Sequence, residues 1–595
     1  MTHSSTSATT DGYTGARRLV DALDHWAATT PRATAVTAPD GAFDFAETAA
    51  RTRALAAGLA ADGVGPGDSV GLCLGRSRWA LPGLLAVWTL GATAVPLDER
   101  HPADRVNFVL RDADVRVLIG TGLPEGAATP RLRTVDPAET ATGDTAPPGF
   151  TAGPDSIAYT IYTSGTTGWP KGVDVSYAAL DVFLDALATL GLRPGGVGVN
   201  LVSPAFDGWL WCALLYLLHG QTMAIIDLAH GDGITAALTA AEPRTVCLTP
   251  SLLASHEGDL PTVDTIVVAG EPCPPGLLER FRAARPDRPP RTLNVYGPTE
   301  TTIAATWADS DRGDPLDGIG RPLPRYRAHV LDDEDRPVPV GGTGELCLAG
   351  PALARGYRNR PGLTAARFVP DPFAADGTRM YRTGDTVTRR ADGTLAYVGR
   401  RDDQVKVRGF RVELGEVERV ALRAPGVRAA AAHLTAAGDA LALAVVPAAD
   451  ADRDTLAARV RDHCAAALPG PAAPASVTVL DSLPTAPTGK VDRAALATLA
   501  PPPSTTGRPP SGARETEVCA VLSEVLGRPV TDAEADFYAL GGHSLLAART
   551  VSALRRRTGL RITMRHLLAA PTAAGIAAAL DALAAEPAPA EAGAR

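Results

Sequence analysis

The sequence predicts a multidomain protein with a large α/β lobe, a small α+β lobe and a small all-α helical bundle at the C-terminal end. The 595 residues are several times the length of one compact domain. Residues 19 to about 400 alternate amphipathic helical stretches with short apolar, β-rich runs, which is typical of an α/β fold. Beyond a stretch rich in Pro, Gly and Ser, the apolar spacing becomes strongly helical over some 70 residues, which suits a helical bundle.

The composition is that of a globular protein that can bury a core, because 45% of residues are hydrophobic and 21% are charged. The net charge of -9 is spread without long runs of one sign, so neither nucleic acid nor an anionic membrane is an expected partner. Seven cysteines are scattered singly and lack metal-ligand spacing. The polar N-terminus is unlike a secretory signal and the apolar run at 81–97 is too short for a membrane span, so a cytoplasmic protein is expected.

The strand-like runs of the α/β part are predicted at 115–119, 157–163, 265–269 and 344–348. A charge-dense stretch, GRRDDQVKVRGFRVELGEVE, then indicates a hinge between the two lobes, and PPPSTTGRPPSG indicates a linker. The predicted units are a disordered N-terminus (1–18), a large lobe (19–401), a small lobe (402–499), a Pro-rich linker (500–512), a helical domain (513–583) and a disordered tail (584–595).

The β-rich run IAYTIYT ends in SGTTGWPKG, which has the chemistry of a phosphate-binding loop. Glycines free the backbone to fold around an anion, hydroxyl and N–H groups donate hydrogen bonds, and the lysine adds charge. The G-x-x-x-x-G-K-[ST] spacing of P-loop NTPases is absent. The predicted loop residues are Thr163, Ser164, Gly165, Thr166, Thr167, Gly168 and Lys171.

Lysine is rare in this chain: of 57 basic residues only Lys171, Lys406 and Lys490 are lysine, and each lies inside a motif. A planar guanidinium cannot replace a compact ammonium at every site. The three positions are therefore predicted to need that ammonium.

The segment YTSGTTGWPKG resembles the ATP-phosphate loop of the adenylate-forming superfamily, and further motifs follow in the order of that superfamily. They are NVYGPTE (294–300), GELCLAGPALARGYRNRPGLTAARF (344–368), YRTGD (381–385), GRRDDQVKVRGFR (399–411) and PTGKVDR (487–493). They are similar to those of adenylation domains in nonribosomal peptide synthetases, over roughly residues 19 to 495. The resemblance implies activation of a carboxylic acid as its adenylate, with ATP and Mg²⁺.

This reaction brings two anions together, so it requires positive charge and positioning. By resemblance, Lys490 contacts the substrate carboxylate and the α-phosphate, Glu300 helps to hold Mg²⁺, and Thr299 lies near the phosphates. Tyr296 offers a ring face and Asn294 an amide to adenine, while Asp385 accepts hydrogen bonds from the ribose. The implied nucleotide-binding set is Gly270, Glu271, Pro272, Asn294, Tyr296, Gly297, Asp385 and Arg400.

The same resemblance implies a rotation of the small lobe about Asp402. Lys490 would leave the site after adenylation, and the segment 406–411, with Lys406 and Gly409, would then shape the entry tunnel for a thiol. One departure from the family is Tyr177, which stands where histidine is frequent.

The segment PAFDGWLW places Asp207 where amino-acid-activating members carry an aspartate for the substrate α-ammonium. An α-amino acid is therefore predicted over a fatty or aryl acid. The uncharged pocket predicts a hydrophobic side chain. The pocket set partly resembles phenylalanine pockets, through Trp211 with small residues at 267 and 269, which favours an aromatic over an aliphatic acid, although Val295 could shorten the cavity toward an aliphatic one. The remaining implied pocket positions are Gly208, Trp211, Cys247, Val267, Ala269, Val295, Ile303 and Ala304.

The segment DFYALGGHSLLAAR (536–549) resembles the attachment motif of peptidyl carrier proteins, with Ser544 at the modified position. Gly541 and Gly542 allow a sharp turn into a helix that is predicted to begin at about Ser544. The resemblance implies a covalent 4′-phosphopantetheine, added by a phosphopantetheinyl transferase. Because tethering raises the effective concentration, loading within the same chain is expected.

Three readings compete: a didomain that activates an amino acid and loads its own carrier, a ligase for aryl or fatty acids that releases acyl-CoA or free adenylate, and a non-catalytic carrier scaffold. The carrier motif and the intact Lys490, Glu300 and Asp385 favour the first, in nonribosomal peptide or other secondary metabolism such as antibiotic biosynthesis. No condensation-type segment is recognised, so the expected partners are a downstream condensation domain or a tailoring enzyme in trans. An MbtH-like protein is a further candidate partner.

Overall fold

The computed structural model of the chain describes residues 17–120, 122–127, 132–140, 152–165, 169–228, 233–375, 377–407, 409–435, 438, 440–449, 451–485, 491–498, 508–537, 540, 542 and 544–585. Most of the predicted disordered N-terminus (1–18), tail (584–595) and linker (500–512) lies outside these residues. The disorder prediction is wrong for residues 17 and 18, which begin the first helix, and for residues 584 and 585, which end the last one.

The large lobe contains helices and strands in alternation. Its helices are α1 (Arg17–Thr29), α2 (Phe45–Ala61), α3 (Ala80–Thr89), α4 (Ala103–Asp112), α5 (Tyr177–Ala188), α6 (Asp207–Leu218), α7 (Ile234–Ala241), α8 (Pro250–Ala254), α9 (Leu277–Ala283) and α10 (Pro361–Arg367). Its strands are β1 (Thr34–Ala38), β2 (Gly41–Asp44), β3 (Ser69–Cys73), β4 (Thr93–Pro96), β5 (Val117–Gly120), β6 (Arg133–Val135), β7 (Ile157–Thr163), β8 (Lys171–Ser176), β9 (Val197–Asn200), β10 (Thr222–Ile225), β11 (Thr245–Leu248), β12 (Thr265–Ala269), β13 (Arg291–Tyr296), β14 (Thr306–Asp309), β15 (Arg321–Pro322), β16 (Arg327–Leu331), β17 (Thr343–Ala349), β18 (Gly356–Tyr357), β19 (Phe368–Pro370), β20 (Arg379–Arg389) and β21 (Leu395–Arg400).

Two large sheets organise this lobe. The described strands form a nine-stranded sheet in the order β15-β14-β13-β12-β11-β9-β10-β1-β2 and a seven-stranded sheet in the order β18-β8-β7-β4-β3-β5-β6. Strands β13 to β1 of the first sheet are parallel, and so are β7 to β6 of the second. In such sheets the loops after the carboxyl ends of the strands form the ligand crevice. A further sheet, β16-β17-β20-β19 with β21 paired to β20, carries the end of the lobe.

Helix α6 lies in the main core and begins with the predicted pocket residues Asp207 and Gly208. Its sequence DGWLWCALLYLL is apolar on every side, and a helix of this kind is stable only when it is surrounded by protein. Residues 209–217 of the helix are buried. Its first residue, Asp207, therefore stands at the edge of the core, where the helix begins.

The small lobe follows Arg400 and has its own hydrophobic core. The hairpin strands β22 (Gln404–Val407) and β23 (Phe410–Glu413) come first, and Gly409 has a φ of +79° that favours glycine in their connection. The rest consists of α11 (Leu414–Leu422), β24 (Val427–Leu434), β25 (Leu441–Pro447), α12 (Arg453–Ala467), β26 (Ser476–Val479) and α13 (Arg493–Thr498).

The C-terminal unit is a bundle of α14 (Gly512–Leu526), α15 (Ser544–Thr558), α16 (Met564–Ala569) and α17 (Ala573–Ala585). The apolar residues Val518, Val521, Leu522 and Leu554 of this unit are buried in its core. The bundle is the one that the helical spacing predicts, and α15 begins at Ser544, as the motif predicts.

The strand predictions are confirmed at 157–163 and 265–269, where the bounds agree. The run predicted at 115–119 forms a strand that starts at Val117, and the run at 344–348 lies inside the longer β17. No helix in the described part of the chain is long and apolar enough to cross a membrane.

Candidate active site

A cavity of about 580 Å³ lies where the carboxyl-end loops of the nine-stranded sheet meet the hairpin β22–β23 of the small lobe. Its lining residues are up to 395 positions apart in sequence, from Arg76 to Pro471. The predicted site residues that line it are Thr163, Asp207, Gly208, Trp211, Cys247, Val267, Ala269, Gly270, Val295, Tyr296, Gly297, Thr299, Ile303, Asp385, Arg400, Lys406 and Gly409.

At one end of the cavity, Asp385 is held by two donors. The Tyr296 hydroxyl donates to Asp385 Oδ2, and Arg400 Nη1 donates to Oδ1 at 2.7 Å. Burial and the Asp385 charge keep the pKa of Tyr296 well above its usual range, so the phenol remains a donor. Arg400 Nε also donates to Asp402 Oδ1 at 2.7 Å, which links this end of the cavity to the predicted hinge. A buried carboxylate oriented in this way can accept hydrogen bonds from ribose hydroxyls. Thr163 Oγ1 is buried without a hydrogen-bond partner, so it can donate to a phosphate.

The predicted adenine contact of Asn294 does not form in the described arrangement. Asn294 donates from Nδ2 to the carbonyl oxygens of Leu316 and Gly318 at 3.1 and 2.8 Å, so both amide hydrogens are used within the chain. Asn294 and Pro272 do not line the cavity, and the prediction that the Asn294 amide faces adenine is not met in this arrangement. The resemblance implied that the backbone at 270–272 lines the nucleotide site; of these residues Gly270 lines the cavity, and the Glu271 carboxylate accepts from Ser251 N and Oγ at 2.9 and 3.0 Å.

Glu300 is fully buried on a single 3₁₀ turn that follows β13. Arg411 Nη1 donates to both of its oxygens, at 3.1 and 2.8 Å, and the Tyr357 hydroxyl donates at 2.7 Å. Lys171 Nζ lies 3.7 Å from Oε1. Burial alone would raise the pKa of Glu300, but Arg411, Lys171 and Tyr357 outweigh it and lower the pKa to about 2. Glu300 is therefore an anion at neutral pH.

The side-chain oxygens of Glu300 and its neighbour Thr299 are of the kind that binds a hard divalent cation. Carboxylate and hydroxyl oxygens such as those of Glu300 and Thr299 suit Mg²⁺, which also takes oxygens from nucleotide phosphates and water. Among the residues that the structure describes, no group of three or more His, Cys, Asp or Glu side chains could hold a metal by itself. In the observed arrangement Arg411 contributes the positive charge at the Glu300 oxygens that Mg²⁺ would contribute.

The hairpin of the small lobe covers the cavity. Ser164 Oγ donates to the carbonyl oxygen of Arg411 at 2.8 Å, and the Phe410 ring packs edge-on against Phe206 at 4.3 Å. A Cβ built on Gly409 would lie 2.7 Å from Thr249 Cγ2, so the close approach of these two segments favours glycine. The role of Gly409 in a thiol tunnel stays a prediction.

Two of the three predicted site lysines, Lys171 and Lys406, lie among the described residues. Lys406 is half-buried with Nζ 5.4 Å from the centre of the Tyr296 ring, and desolvation lowers its pKa. Burial and the Arg411 charge lower the pKa of Lys171 to about 8. The predictions for Lys490 and for the loop residues Thr166, Thr167 and Gly168 fall outside the described residues.

At the other end of the cavity, Asp207 presents a carboxylate to the pocket. Its Oδ2 is buried and has no hydrogen-bond partner. Burial raises the pKa of Asp207 to about 6, partly offset by a hydrogen bond from Thr299. An unpartnered buried carboxylate oxygen is costly, and a substrate ammonium would satisfy it.

The pocket beyond Asp207 is apolar and rigid. Trp211 packs against Trp307 with ring centres 6.4 Å apart at 86°, and against Phe183 at 5.8 Å. The other residues of this wall are Cys212, Cys247, Val267, Ala269, Val295 and Ile303. Ala304, predicted for the pocket, is buried behind the lining.

Several cavity residues were not singled out from the sequence. Phe206 and Gln404 adjoin predicted residues, whereas Arg76 lines the cavity from the loop after β3 and donates to the carbonyl oxygens of Leu201 and Ile226 at 3.2 and 3.3 Å. No spacing in the sequence indicates Arg76, because only the packing of the two sheets brings it there. Tyr177, noted as a departure from the family, is a core residue whose hydroxyl donates to the carbonyl of Ala92 at 2.7 Å.

A crevice at the carboxyl ends of parallel strands, covered by the small-lobe hairpin and followed by a helical bundle, is typical of an ATP-dependent acid-activating enzyme joined to a carrier. Residues 23–358 match the AMP-binding enzyme family, 416–490 match the AMP-binding enzyme C-terminal domain, and 516–580 match the phosphopantetheine attachment site. The chain therefore belongs to the AMP-binding enzyme family.

Several proteins are similar in sequence to this chain over more than 90% of its length. Novobiocin biosynthesis protein H of Streptomyces niveus is 37% identical over 568 residues, covering 92% of this chain and 93% of that protein. Phosphinothricin tripeptide synthetase PhsC of Streptomyces viridochromogenes is 38% identical over 592 residues, covering 96% of this chain but 54% of the synthetase. The dimodular nonribosomal peptide synthase of Bacillus subtilis is 36% identical, and this chain spans a quarter of its length.

Solved structures show the same architecture. Holo-PA1221, a nonribosomal peptide synthetase protein with adenylation and carrier domains bound to a vinylsulfonamide inhibitor, has a TM-score of 0.80 at 26% identity, covering 95% of this chain and 96% of that one. The predicted fold class is confirmed, and so is an AMP-forming ligase that uses ATP and Mg²⁺ to activate an amino acid and loads it on a phosphopantetheine carrier.

Proposed function

We propose that the chain activates a hydrophobic α-amino acid, with an aromatic side chain favoured over an aliphatic one, and transfers it as a thioester to phosphopantetheine on Ser544. The main support is Asp207, whose buried and unpartnered oxygen opens on an apolar pocket. Such a carboxylate suits an ammonium and penalises an acid that lacks one. The rigid Trp211 wall suits a flat ring.

In the activation step, Asp207 would orient the amino acid through its ammonium, and Asp385 would orient the ribose of ATP. Lys171, with Thr163, would hold phosphate oxygens, and Lys490 would screen the two reacting anions, as in the proposed family role. Magnesium, when bound at Glu300, supplies positive charge for the phosphate oxygens. These groups position the reactants without forming a covalent bond to them.

In the loading step, the hairpin residues Lys406, Gly409 and Arg411 would take the position near the nucleotide that Lys490 holds during activation. The described arrangement supports this exchange, because the hairpin lies over the cavity and Arg411 holds Glu300. Phosphopantetheine supplies the thiol that accepts the acyl group. We further propose Asp402 as the hinge, since Arg400 and Arg367 both contact its carboxylate beside the start of the small lobe.

The proposed domain boundaries are those of the sequence prediction, supported by separate hydrophobic cores for the large lobe, the small lobe and the bundle. A phosphopantetheinyl transferase is a required partner of the carrier. Relatives that are longer synthetases support a condensation domain as a proposed partner, and a tailoring enzyme in trans remains a proposal from the sequence, as does an MbtH-like protein.

Pyrophosphate exchange over the twenty proteinogenic and common nonproteinogenic amino acids tests the substrate proposal. We expect phenylalanine-like acids to give the largest kcat/KM, and a flat panel would overturn the amino-acid proposal. Val295→Ala lengthens the pocket and should favour larger side chains over leucine or valine by about 1–3 kcal/mol. Unchanged preference in this variant would contradict the placement of Val295 at the end of the pocket.

Intact mass after phosphopantetheinylation and incubation with ATP and the amino acid tests the site of loading. The acyl mass should appear on the wild-type chain and not on Ser544→Ala, which should keep full pyrophosphate exchange. Acyl transfer to free coenzyme A at a comparable rate would support the acyl-CoA ligase alternative instead.

A further inference from the structure

The helical bundle contacts both lobes through ion pairs of opposite polarity. Arg556 Nη1, on α15, lies 3.2 and 3.3 Å from the two carboxylate oxygens of Glu257, which follows α8 in the large lobe. Asp536 Oδ1, in the segment that leads to the attachment motif, lies 3.5 Å from Arg461 Nη1 on α12 of the small lobe. The bundle therefore presents a cation to the large lobe and an anion to the small lobe.

Of three consecutive arginines at the end of α15, Arg556 is the one that contacts the large lobe. Arg555 Nε donates to the carbonyl of Ile562 at 2.6 Å, and Arg557 Nη2 donates to Glu524 at 2.6 Å, both within the bundle. The backbone of Glu257 is itself held, because its N–H donates to Thr235 Oγ1 at 3.0 Å. Arg556 lies in helix α15 and the backbone of Glu257 is hydrogen-bonded, so both side chains extend from ordered backbone.

The two bundle residues stand on either side of Ser544 in the sequence, Asp536 eight residues before it and Arg556 twelve residues after it. Asp536 is held in place by a backbone bridge to Thr572 of the bundle. Two contacts of opposite sign, on different elements, fix an orientation that one contact could not fix.

We propose that these pairs are the docking contacts by which the carrier recognises both lobes at once when the thiol arm enters the cavity. Arg461 moves with the small lobe, so both pairs can form only when the hairpin β22–β23 lies over the cavity as described. Docking then selects the thioester-forming arrangement and leaves activation unaffected. A single exposed ion pair adds little binding affinity. A carrier tethered to the lobes needs little affinity, because the tether keeps its effective concentration high. Complementary charge then sets the orientation of the carrier and the rate at which it docks. The inference rests on loading of the chain's own carrier.

Charge reversal in the full-length, phosphopantetheinylated chain tests the docking contacts. Glu257→Arg and Arg556→Glu each turn attraction into repulsion and should lower the single-turnover loading rate by about fivefold to tenfold. The double variant, Glu257→Arg with Arg556→Glu, restores the attraction and should load within about twofold of wild type. Pyrophosphate exchange should be unchanged in all three. Added NaCl should slow wild-type loading and speed loading in the single variants, because screening acts on opposite signs.

Arg557→Glu is the matched control, since it changes the net charge of the same helix by the same amount and, among the described residues, the ion pair of Arg557 is with Glu524 of the bundle. It should load within about twofold of wild type. Complete phosphopantetheinylation by intact mass shows that each variant bundle is folded. Wild-type loading in Glu257→Arg, or no recovery in the double variant, would overturn the docking contacts alone. A wild-type chain that activates its amino acid but acquires no acyl group would overturn the proposed loading, and this inference with it.

Discussion

Replacing Asp207 with asparagine should remove most of the preference for an amino acid. The side chain keeps its shape, so no cavity forms, but the charge that faces the substrate ammonium is lost. Because Asp207 Oδ2 is buried and unpartnered, a bound ammonium would be left without a counter-charge in a site that excludes water. Breaking a buried pair on one side costs about 3–5 kcal/mol, which corresponds to a loss of two to three and a half orders of magnitude in kcat/KM.

Pyrophosphate exchange with the preferred amino acid, and with the same acid lacking its amino group, measures this loss. The variant should lose activity on the amino acid while the desamino acid changes little, so that discrimination between them collapses. KM for ATP should stay within about twofold, because Asp385 holds the other end of the cavity.

The melting temperature Tm is the control that shows whether Asp207→Asn is folded. A carboxyl whose pKa is raised to about 6 makes the folded state less stable as pH rises from about 4 to about 6, and the whole cost is present at pH 7. Removing the charge should therefore leave Tm equal to or above that of the wild type. Amino-acid exchange within about fivefold of wild type, in a variant with an unchanged Tm, would refute the assignment of Asp207 to the ammonium.

The remaining predictions concern pH, loading and stability. The kcat/KM for the amino acid should fall about tenfold per pH unit below about 6, because protonated Asp207 cannot pair with an ammonium, and a profile without this limb would contradict the raised pKa. Arg411→Gln should slow loading by about tenfold or more in single-turnover assays while pyrophosphate exchange stays within about threefold, because Glu300 loses its partner only in the described arrangement. Equal losses in both assays would count against that role. Tyr177→Phe should lower the free energy of unfolding in urea by about 1–3 kcal/mol, because the buried carbonyl of Ala92 loses its donor, while KM for ATP is unchanged. A raised KM would place Tyr177 in the active site after all.

Much of the architecture could be predicted because it depends on local patterns. The apolar runs at 157–163 and 265–269 could satisfy their side chains only as buried strands, and the all-apolar α6 only as a core helix. The motifs also located Asp207, Tyr296 and Asp385, and all three line the cavity.

Partners that pair across the chain could not be predicted in the same way. Glu300 and Arg411 are 111 residues apart, and nothing in their flanking sequence indicates that the guanidinium holds the carboxylate. Asn294 shows the opposite case: its position in a motif suggested adenine, but the loop at 316–318 offered two carbonyl groups that buried amide hydrogens must satisfy.

Hydrophobic period and turn residues are local properties, so the sequence alone indicated a large lobe, a small lobe and a helical bundle. The phosphate loop and the role of Asp207 toward the substrate ammonium rest on motif resemblance and stay predictions. Only the folded chain shows that Arg411 holds Glu300 and that Arg556 and Asp536 contact different lobes. These are ion pairs between distant segments, and their existence depends on how the lobes pack, which no local pattern encodes.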